Sequence, residues 1–271
     1  MFNTISILKK ALKILAVALL LAATVVPAQA QRRVIHYLPK YENEPYHFGF
    51  LLAFNEMMYT VKTVEDYQNK ELEPDSWPDG PFTPAQIDGL YVYNVETRQR
   101  PGFTVGIIGS KRLGRYFDLR LIPSLSFCDR QLKYIVIKDI NGNLTPTNDP
   151  LEPSIFTTFV EFPLNIKYRS KRYNNIGAYI MGGINPKLDL SSNKQSYNQV
   201  TGNFTNFVTK RFDLAGELGV GFDIYNQWFK MGIEIKMSYG MLDVVKSDAG
   251  IYTAPIEHLR NKLFQASLLI E

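Results

Sequence analysis

Cysteine, histidine and long apolar runs are scarce in this chain of 271 residues. Cys128 is the one cysteine, so the chain can form neither an internal disulfide nor a cysteine-based metal cluster. Three histidines leave little material for imidazole chemistry. Beyond residue 30, no apolar run approaches the roughly 18 residues that a membrane-spanning helix needs. If the chain enters a membrane, it must do so as a β-barrel, in which paired strands satisfy the backbone polar groups.

The first thirty residues have the pattern of a secretory signal peptide. Three lysines precede an apolar run over residues 14–26, and Ala28-Gln29-Ala30 gives the small-x-small cleavage site. The apolar run is too short to favour the alternative, an uncleaved transmembrane helix. We expect residues 1–30 to be removed. Their loss lowers the formal net charge from +4 to +1, because they hold three lysines and no acidic residue. A nearly neutral chain gives no indication of a nucleic-acid partner.

Alternating side chains are the dominant pattern in the rest of the chain. From Val160 to Tyr168 every second residue is large and apolar, and the residues between them are polar or proline. Successive side chains of a strand point to opposite faces, so this segment predicts a strand with one apolar and one polar face. Eight segments have period-2 character, namely 46–56, 103–111, 116–129, 156–168, 176–189, 211–225, 228–242 and 259–270.

Short turns and long loops alternate between these segments, as they do in outer-membrane barrels. The pattern predicts an all-β fold: an eight-stranded antiparallel transmembrane (outer-membrane) β-barrel over residues 46–271. An extended periplasmic leader is expected at 31–45, and the longest loop at about 57–102. An even strand number places both ends of the barrel domain on the short-turn, periplasmic side.

The volume of such a barrel decides which face points outward. An eight-stranded barrel has room inside only for packed side chains or one small ligand. The polar set of positions includes Gly219, Gly221 and Gly232, which suit a narrow lumen. We therefore expect the apolar set to face lipid and the polar set to fill the lumen. The alternative is a soluble periplasmic barrel with the apolar face inside.

Charged side chains of both signs fall on the expected inward face. In a narrow barrel they would be partly desolvated and should pair, so we interpret them as a structural plug rather than a path for protons or substrate. This lumen charge network comprises Asp118, Arg120, Glu161, Lys167, Asp213, Glu217, Asp223, Lys230, Glu234 and Lys236.

The sequence suggests no catalytic, cofactor-binding or metal-binding residues. Glu217 and Glu234 could resemble a general acid/base pair, but a filled barrel offers no cleft for a polymer between them. A Ser-His-acid arrangement would have to use Ser238 or Ser267, and no spacing supports it. We expect no enzyme activity, no cofactor and no small-molecule substrate.

Two of the short turns are basic and would form a positive rim facing the periplasm. Such a rim could contact lipid phosphates, or it could dock an acidic periplasmic partner. The residues expected to carry that docking are Arg112, Arg115, Lys171 and Arg172.

Two prolines fall inside expected strands. Pro123 and Pro163 each remove a backbone donor from a strand that should be paired on both sides. Each proline therefore implies a bulge or a local break in pairing.

Five segments of the chain have a distinctive sequence in combination, namely residues 33–39, 47–50, 117–123, 160–164 and 182–186. Together they resemble the PorT family of outer-membrane β-barrel proteins, over essentially the whole mature chain. The resemblance implies a non-enzymatic component of the type IX secretion system, needed to export cargo with a C-terminal sorting domain. Its partners would be outer-membrane lipid and other components of that system. The alternative is a stand-alone surface barrel, an adhesin or membrane stabiliser that binds partners through its long loops.

Overall fold

The computed structural model describes residues 36–72, 87–146, 152–191, 196–198, 204–205, 209–246 and 253–271, and the expected signal peptide lies outside them. Within these ranges the helices are two 3-10 turns, at Tyr41–Asn43 and Tyr67–Asn69. Neither has the length or the apolar character to cross a membrane. The strands are β1 (Tyr46–Thr63), β2 (Gly89–Arg98), β3 (Arg100–Arg112), β4 (Phe117–Leu121), β5 (Ser124–Ile140), β6 (Asn143–Pro146), β7 (Pro153–Glu161), β8 (Leu164–Arg169), β9 (Ile176–Asp189), β10 (Ser196–Asn198), β11 (Phe204–Thr205), β12 (Phe212–Tyr225), β13 (Lys230–Gly240) and β14 (Ile256–Ile270).

One antiparallel sheet closes on itself to form a barrel. From β1 the order runs through β14, β13, β12 and β9. β9 pairs with β7 and β8, these pair with β5 and β4, and β3 closes the ring against β1. β4 with β5, and β7 with β8, each form one interrupted barrel strand, so the ring has eight strands. The all-β fold class predicted from the sequence is confirmed.

Proline accounts for both interruptions. Pro123 separates β4 from β5, and Pro163 separates β7 from β8. The register of the two barrel strands is the same on either side of the break, so neither proline introduces a bulge. The proline carbonyls still accept hydrogen bonds, from Ile107 N to Pro123 O at 3.0 Å and from Ile122 N to Pro163 O at 3.2 Å. Each break is a local loss of donors within an otherwise continuous ladder.

The barrel wall extends further than alternation indicated. β1 continues to Thr63, and β2 begins at Gly89 and leads through Gln99 into β3, so strands occupy much of the expected loop at 57–102. β2 pairs along the upper half of β5. Its register shifts between Val92 and Asn94, and such a bulge changes which residues face inward. Simple alternation breaks down there, so the sequence pattern left β2 within the expected loop.

The two faces of the barrel strands separate apolar from charged side chains. In β8, Leu164, Ile166 and Tyr168 are 40%, 52% and 45% exposed, whereas Asn165 and Lys167 are 0% and 1% exposed. A soluble barrel with an apolar interior would show the opposite arrangement. The outer surface therefore carries an apolar belt of the kind that contacts lipid.

The lumen is less uniformly polar than the sequence predicted. Its charged side chains lie mainly on β4, β8, β9, β12 and β13, and apolar side chains line it along β1, β3 and β14. Apolar residues fill this side because each additional buried charge would need its own partner. Two buried apolar clusters result, one of Leu51, Ala53, Ile108, Ile122 and Leu269, and one of Met57, Cys128, Phe159 and Leu263.

A third apolar cluster lies at the long-loop end of the barrel, and we call it the outer cap. It joins the extended parts of β1, β2, β5 and β14 to segments of the connecting loops. Leu72 N bonds to Leu90 O at 2.9 Å and Val244 N to Leu259 O at 2.9 Å, which ties two loops to the strands. The cluster contains Tyr59, Leu72, Ile87, Leu90, Val92, Leu132, Tyr134, Val136, Val244, Val245, Ile256 and Leu259.

Candidate functional site

The lumen brings together the charged residues singled out from the sequence. All ten side chains of the expected network are buried, the most exposed being Asp118 at 7%. Strand parity explains this placement, since each of them alternates with an outward apolar neighbour. The pairs form three layers along the barrel axis, which are described below from the short-turn end upward.

The first layer surrounds Arg120 of β4. Its Nη1 donates to Glu234 Oε2 at 2.9 Å, and its Nη2 donates to Glu271 Oε1 at 3.4 Å. Glu271 also accepts from Lys230 Nζ at 2.6 Å. Lys167 Nζ donates to an Asp223 oxygen at 2.6 Å in the same layer. Every cation of this layer has a carboxylate partner, which offsets the cost of removing it from water.

The second layer centres on Glu217 of β12. Lys236 Nζ lies 3.1 and 3.2 Å from its two oxygens. Asn165 donates to it at 3.1 Å and Asn185 at 2.7 Å. Four donated hydrogen bonds satisfy this carboxylate on every side, so Glu217 holds β8, β9, β12 and β13 together across the lumen.

The third layer is built around Arg130, which lies just below the outer cap. Its guanidinium donates to Asn261 Oδ1 at 2.8 Å, to the Thr157 hydroxyl, and to Asp189 Oδ2 at 3.3 Å. The same group lies over the ring of Tyr59 at 4.7 Å. A fully buried arginine with a carboxylate, two polar partners and an aromatic face is a rigid junction between several strands.

Sequence reasoning missed several members of these layers, above all Arg130, Lys187, Asp189 and Glu271. Lys187 pairs with Glu161 at 3.4 Å. Its parity on β9, two residues from Asn185, could have placed it inward. Arg130 follows Cys128 by two residues and could have been found in the same way, had β5 been extended past residue 129.

The leader packs against the short-turn end of the barrel. It is described from His36 onward and is not simply extended, because Tyr41–Asn43 forms a 3-10 turn. The Tyr41 hydroxyl donates to Glu271 Oε2 at 3.0 Å, and its ring stacks on His47 with centroids 4.0 Å apart. His47 Nε2 donates to the Tyr41 carbonyl at 2.7 Å. Burial raises the pKa of the Tyr41 hydroxyl, and the Glu271 charge raises it further, so Tyr41 remains a hydrogen-bond donor.

The four expected docking residues differ in how they are engaged. Arg172 donates to the carbonyls of Tyr37 and Leu38 and lies 3.9 Å over the Tyr225 ring, so it anchors the leader. Arg112 donates to Gly114 O at 3.0 Å within its own turn. Arg115 and Lys171 are exposed. Of the four, these two present their charges most openly to solvent.

His258 and the two serines of a possible triad lie on different sides of the barrel wall, and His47 is hydrogen-bonded to the leader at Tyr41. Ser238 and Ser267 are buried in the lumen. His258 is exposed, near the outer cap, where Nδ1 lies 3.2 Å from Asp243 Oδ2. The barrel wall separates this imidazole from both serines. Within the described ranges no group of His, Cys, Asp and Glu side chains has the arrangement of a metal site.

Asp243 fastens the loop between β13 and β14 to the outer cap. It accepts hydrogen bonds from Leu259 N at 2.9 Å and Val245 N at 3.1 Å. Burial raises the pKa of the Asp243 carboxyl, but these backbone donors and His258 outweigh that effect, and the pKa lies below its ordinary value.

Comparison with known proteins supports a membrane-barrel identity. A family model described as "Outer membrane protein beta-barrel domain" matches residues 28–246. No curated protein matches significantly.

Three solved structures are similar to this chain at low sequence identity. Neisserial surface protein A (NspA) is 8% identical, with 84% of this chain and 99% of that chain covered and a TM-score of 0.38. Ail, the attachment invasion locus protein of Yersinia pestis solved with the heparin analogue sucrose octasulfate, is 8% identical, with coverage of 84% and 98% and a TM-score of 0.33. OprG from Pseudomonas aeruginosa is 10% identical, with coverage of 82% and 92% and a TM-score of 0.35.

Proposed function

The chain belongs to the family of outer-membrane β-barrel domains and is located in the outer membrane, and on this premise we propose that it is a non-enzymatic scaffold of the type IX secretion system. In this role it supports export of cargo with a C-terminal sorting domain without conducting that cargo itself. The observation that supports the proposal is the set of buried ion pairs in the lumen, Arg120–Glu234, Lys236–Glu217 and Arg130–Asp189, together with the leader contact from Tyr41 to Glu271.

The assignment to the PorT family rests on the resemblance of sequence segments, several of which occupy constrained places in the fold. His47 contacts the leader through Tyr41. Pro123 and Pro163 interrupt neighbouring barrel strands at the same level. At Gly183 of β9 a Cβ atom would overlap the Leu164 carbonyl, so only glycine fits there. Of these positions, Gly183 is the one where the fold admits no side chain.

Deletion in a host that carries a type IX system tests the proposal. The expected result is loss of exported cargo, with unprocessed precursor retained in the periplasm. The rescue allele is the full chain with its leader, and a control allele carries Glu257→Gln, a change at an exposed ion pair far from the short turns. Normal export by the deletion strain would refute the secretion role.

The contact with other secretion components is proposed to use the periplasmic face, with Arg115 and Lys171 as its accessible cations. Reversing Arg112, Arg115, Lys171 and Arg172 to Glu should abolish export while the barrel still inserts. Because Arg172 also anchors the leader, the pair Arg115→Glu/Lys171→Glu is the sharper variant. Unchanged export by that pair would exclude an electrostatic docking surface at these residues.

A stand-alone surface barrel is the second candidate, and the outer cap favours it. The cap gives the long-loop end an apolar core of its own, which can hold loops in a defined shape for an external partner. Disrupting the cap while leaving the lumen intact separates the two functions. Lost surface binding with normal secretion in the cap variant supports this candidate, and lost secretion in the deletion strain supports the first.

A further inference from the structure

An apolar groove lies on the outer wall of the barrel, within the belt that faces lipid. Its volume is about 670 Å³, and it crosses β3, β1, β14 and β13. Ala266 forms its floor, because this small residue lies in register between Phe54 of β1 and Ile235 of β13. The groove is lined on its outward side by Leu52, Phe54, Phe103, Val105, Ile233, Ile235 and Leu268.

Two cations lie above this groove on the same strand. Lys262 and Arg260 follow the outward parity of Ala266 on β14, about 13 Å and 20 Å away along the strand toward the long loops. Arg260 is exposed and Lys262 is half-buried. The Lys262 ammonium lies 5.1 Å from the centre of the Phe264 ring, at the upper edge of the apolar belt.

The carboxylates near these cations have other partners or lie further away. Glu257 pairs with Lys62 at 2.8 Å, and Asp243 accepts from His258. Glu56 lies on the outward face of β1 opposite Phe264, and among the described residues it forms no ion pair with Lys262. Within that part of the chain, neither Arg260 nor Lys262 has a carboxylate within 4.0 Å, so both charges can accept an external anion.

We propose that this wall binds one phosphate-bearing lipid of the leaflet next to the long loops. An acyl chain lies in the groove at Ala266, and the phosphate lies against Arg260 and Lys262. A lipid fits this wall because β14 carries the groove at Ala266 within the apolar belt and the two cations further along, toward the long loops. An acyl chain and a phosphate group are arranged in the same order. The proposal goes beyond the secretion role and does not depend on it.

Lipid binding to the purified protein in uncharged detergent micelles tests this site, with native mass spectrometry as the readout. The probes are dipalmitoyl phosphatidic acid and dipalmitoyl glycerol, which share their acyl chains and differ in the phosphate. The expected result is one phosphatidic acid per barrel, and weaker retention of dipalmitoyl glycerol. Inorganic phosphate at equal concentration should not displace the phosphatidic acid, because the acyl chain contributes to binding.

Three variants separate the parts of the site. Arg260→Ala/Lys262→Ala should weaken phosphatidic acid binding about thirtyfold and leave dipalmitoyl glycerol unchanged. Ala266→Phe fills the groove and should weaken both lipids about tenfold. Glu56→Gln removes a negative charge that would repel the lipid phosphate, and it should strengthen phosphatidic acid binding.

Matched controls lie elsewhere on the barrel. Lys171→Ala removes an exposed cation at the short-turn end, and Ala178→Phe adds bulk to the outward face of β9; neither should change lipid retention. Folding of each variant is checked by the faster migration of the unboiled barrel in electrophoresis. Folded Arg260→Ala/Lys262→Ala or Ala266→Phe with wild-type phosphatidic acid binding would overturn the proposal. If Ala266→Phe does not fold, the double alanine variant and Glu56→Gln still decide it.

Discussion

The Glu217–Lys236 pair offers the sharpest test of the lumen as a dry, paired network. Glu217→Gln keeps the shape of the side chain and removes the charge that faces Lys236. Its single amide oxygen can still accept a hydrogen bond from one of the two asparagines. The Lys236 side chain is 3% exposed, so its ammonium would remain buried without its carboxylate. Removing one partner of a buried pair costs about 3–5 kcal/mol. We expect the free energy of unfolding to fall by that amount.

A double-mutant cycle isolates the pair from its surroundings. Lys236→Met should also destabilise the barrel by about 3–5 kcal/mol, because it leaves Glu217 charged and buried. The variant Glu217→Gln/Lys236→Met carries no orphaned charge, so its loss should be at least about 2 kcal/mol smaller than the sum of the single losses. Urea unfolding of the barrel in lipid vesicles, followed by tryptophan fluorescence, measures all four free energies.

The exposed pair Lys62–Glu257 is the matched control. Both side chains are largely in water, so Glu257→Gln should leave the unfolding curve unchanged. If Glu217→Gln costs less than about 1 kcal/mol, or if the cycle shows no coupling, water reaches Lys236 and the lumen is not the closed network described above.

Three further predictions follow from the two ends of the barrel. Arg172→Ala should release the leader and make it a substrate for added protease at the short-turn side, whereas Lys171→Ala should leave it protected; equal cleavage of both would contradict the anchoring role. Leu259→Ala should lower the stability of the outer cap by about 2–5 kcal/mol and expose the long loops to protease, while the unboiled barrel keeps its fast migration in electrophoresis. The pKa of Asp243 is lower in the folded protein, so its contribution to the stability of the cap is fully present above about pH 4 and is lost as the pH falls through the folded-state pKa. Acid should therefore loosen the cap of the wild type more than that of Asp243→Asn. Hydrogen exchange at the Leu259 amide measures the difference.

Alternation predicted the membrane-embedded part of the barrel because one physical rule governs it. Where lipid lies on one side and a narrow lumen on the other, polarity follows strand parity, as it does from Val160 to Lys167. The expected break at Pro163 is present for the same local reason, the missing backbone donor.

The alternation of polar and apolar side chains does not predict the structure where the surroundings of a strand are no longer lipid on one face and a polar lumen on the other. In the upper part of β5, Leu132, Tyr134 and Val136 face the outer cap rather than a polar lumen, so the strand no longer looks amphipathic. In β2 the irregularity at Val92 reverses the inward positions. The apolar side of the lumen could not be distinguished from the lipid face by polarity alone.

The contacts of the leader could not be predicted from sequence patterns. Tyr41 and Glu271 are 230 positions apart, and their hydrogen bond depends on how the closed ring brings β14 beside β1. Arg172 looked like an exposed rim charge because its turn is short and basic. Its role in holding Tyr37 and Leu38 is visible only once the leader is placed across the mouth.

Conductance across a planar lipid bilayer tests the central claim, a barrel closed by its own side chains and leader, most directly. The account predicts that the purified wild-type protein inserts, as shown by protection from protease, and produces no steady ionic current at 1 M salt. A stable current that rises in proportion to salt concentration would show an open aqueous path through the lumen and would contradict the scaffold assignment.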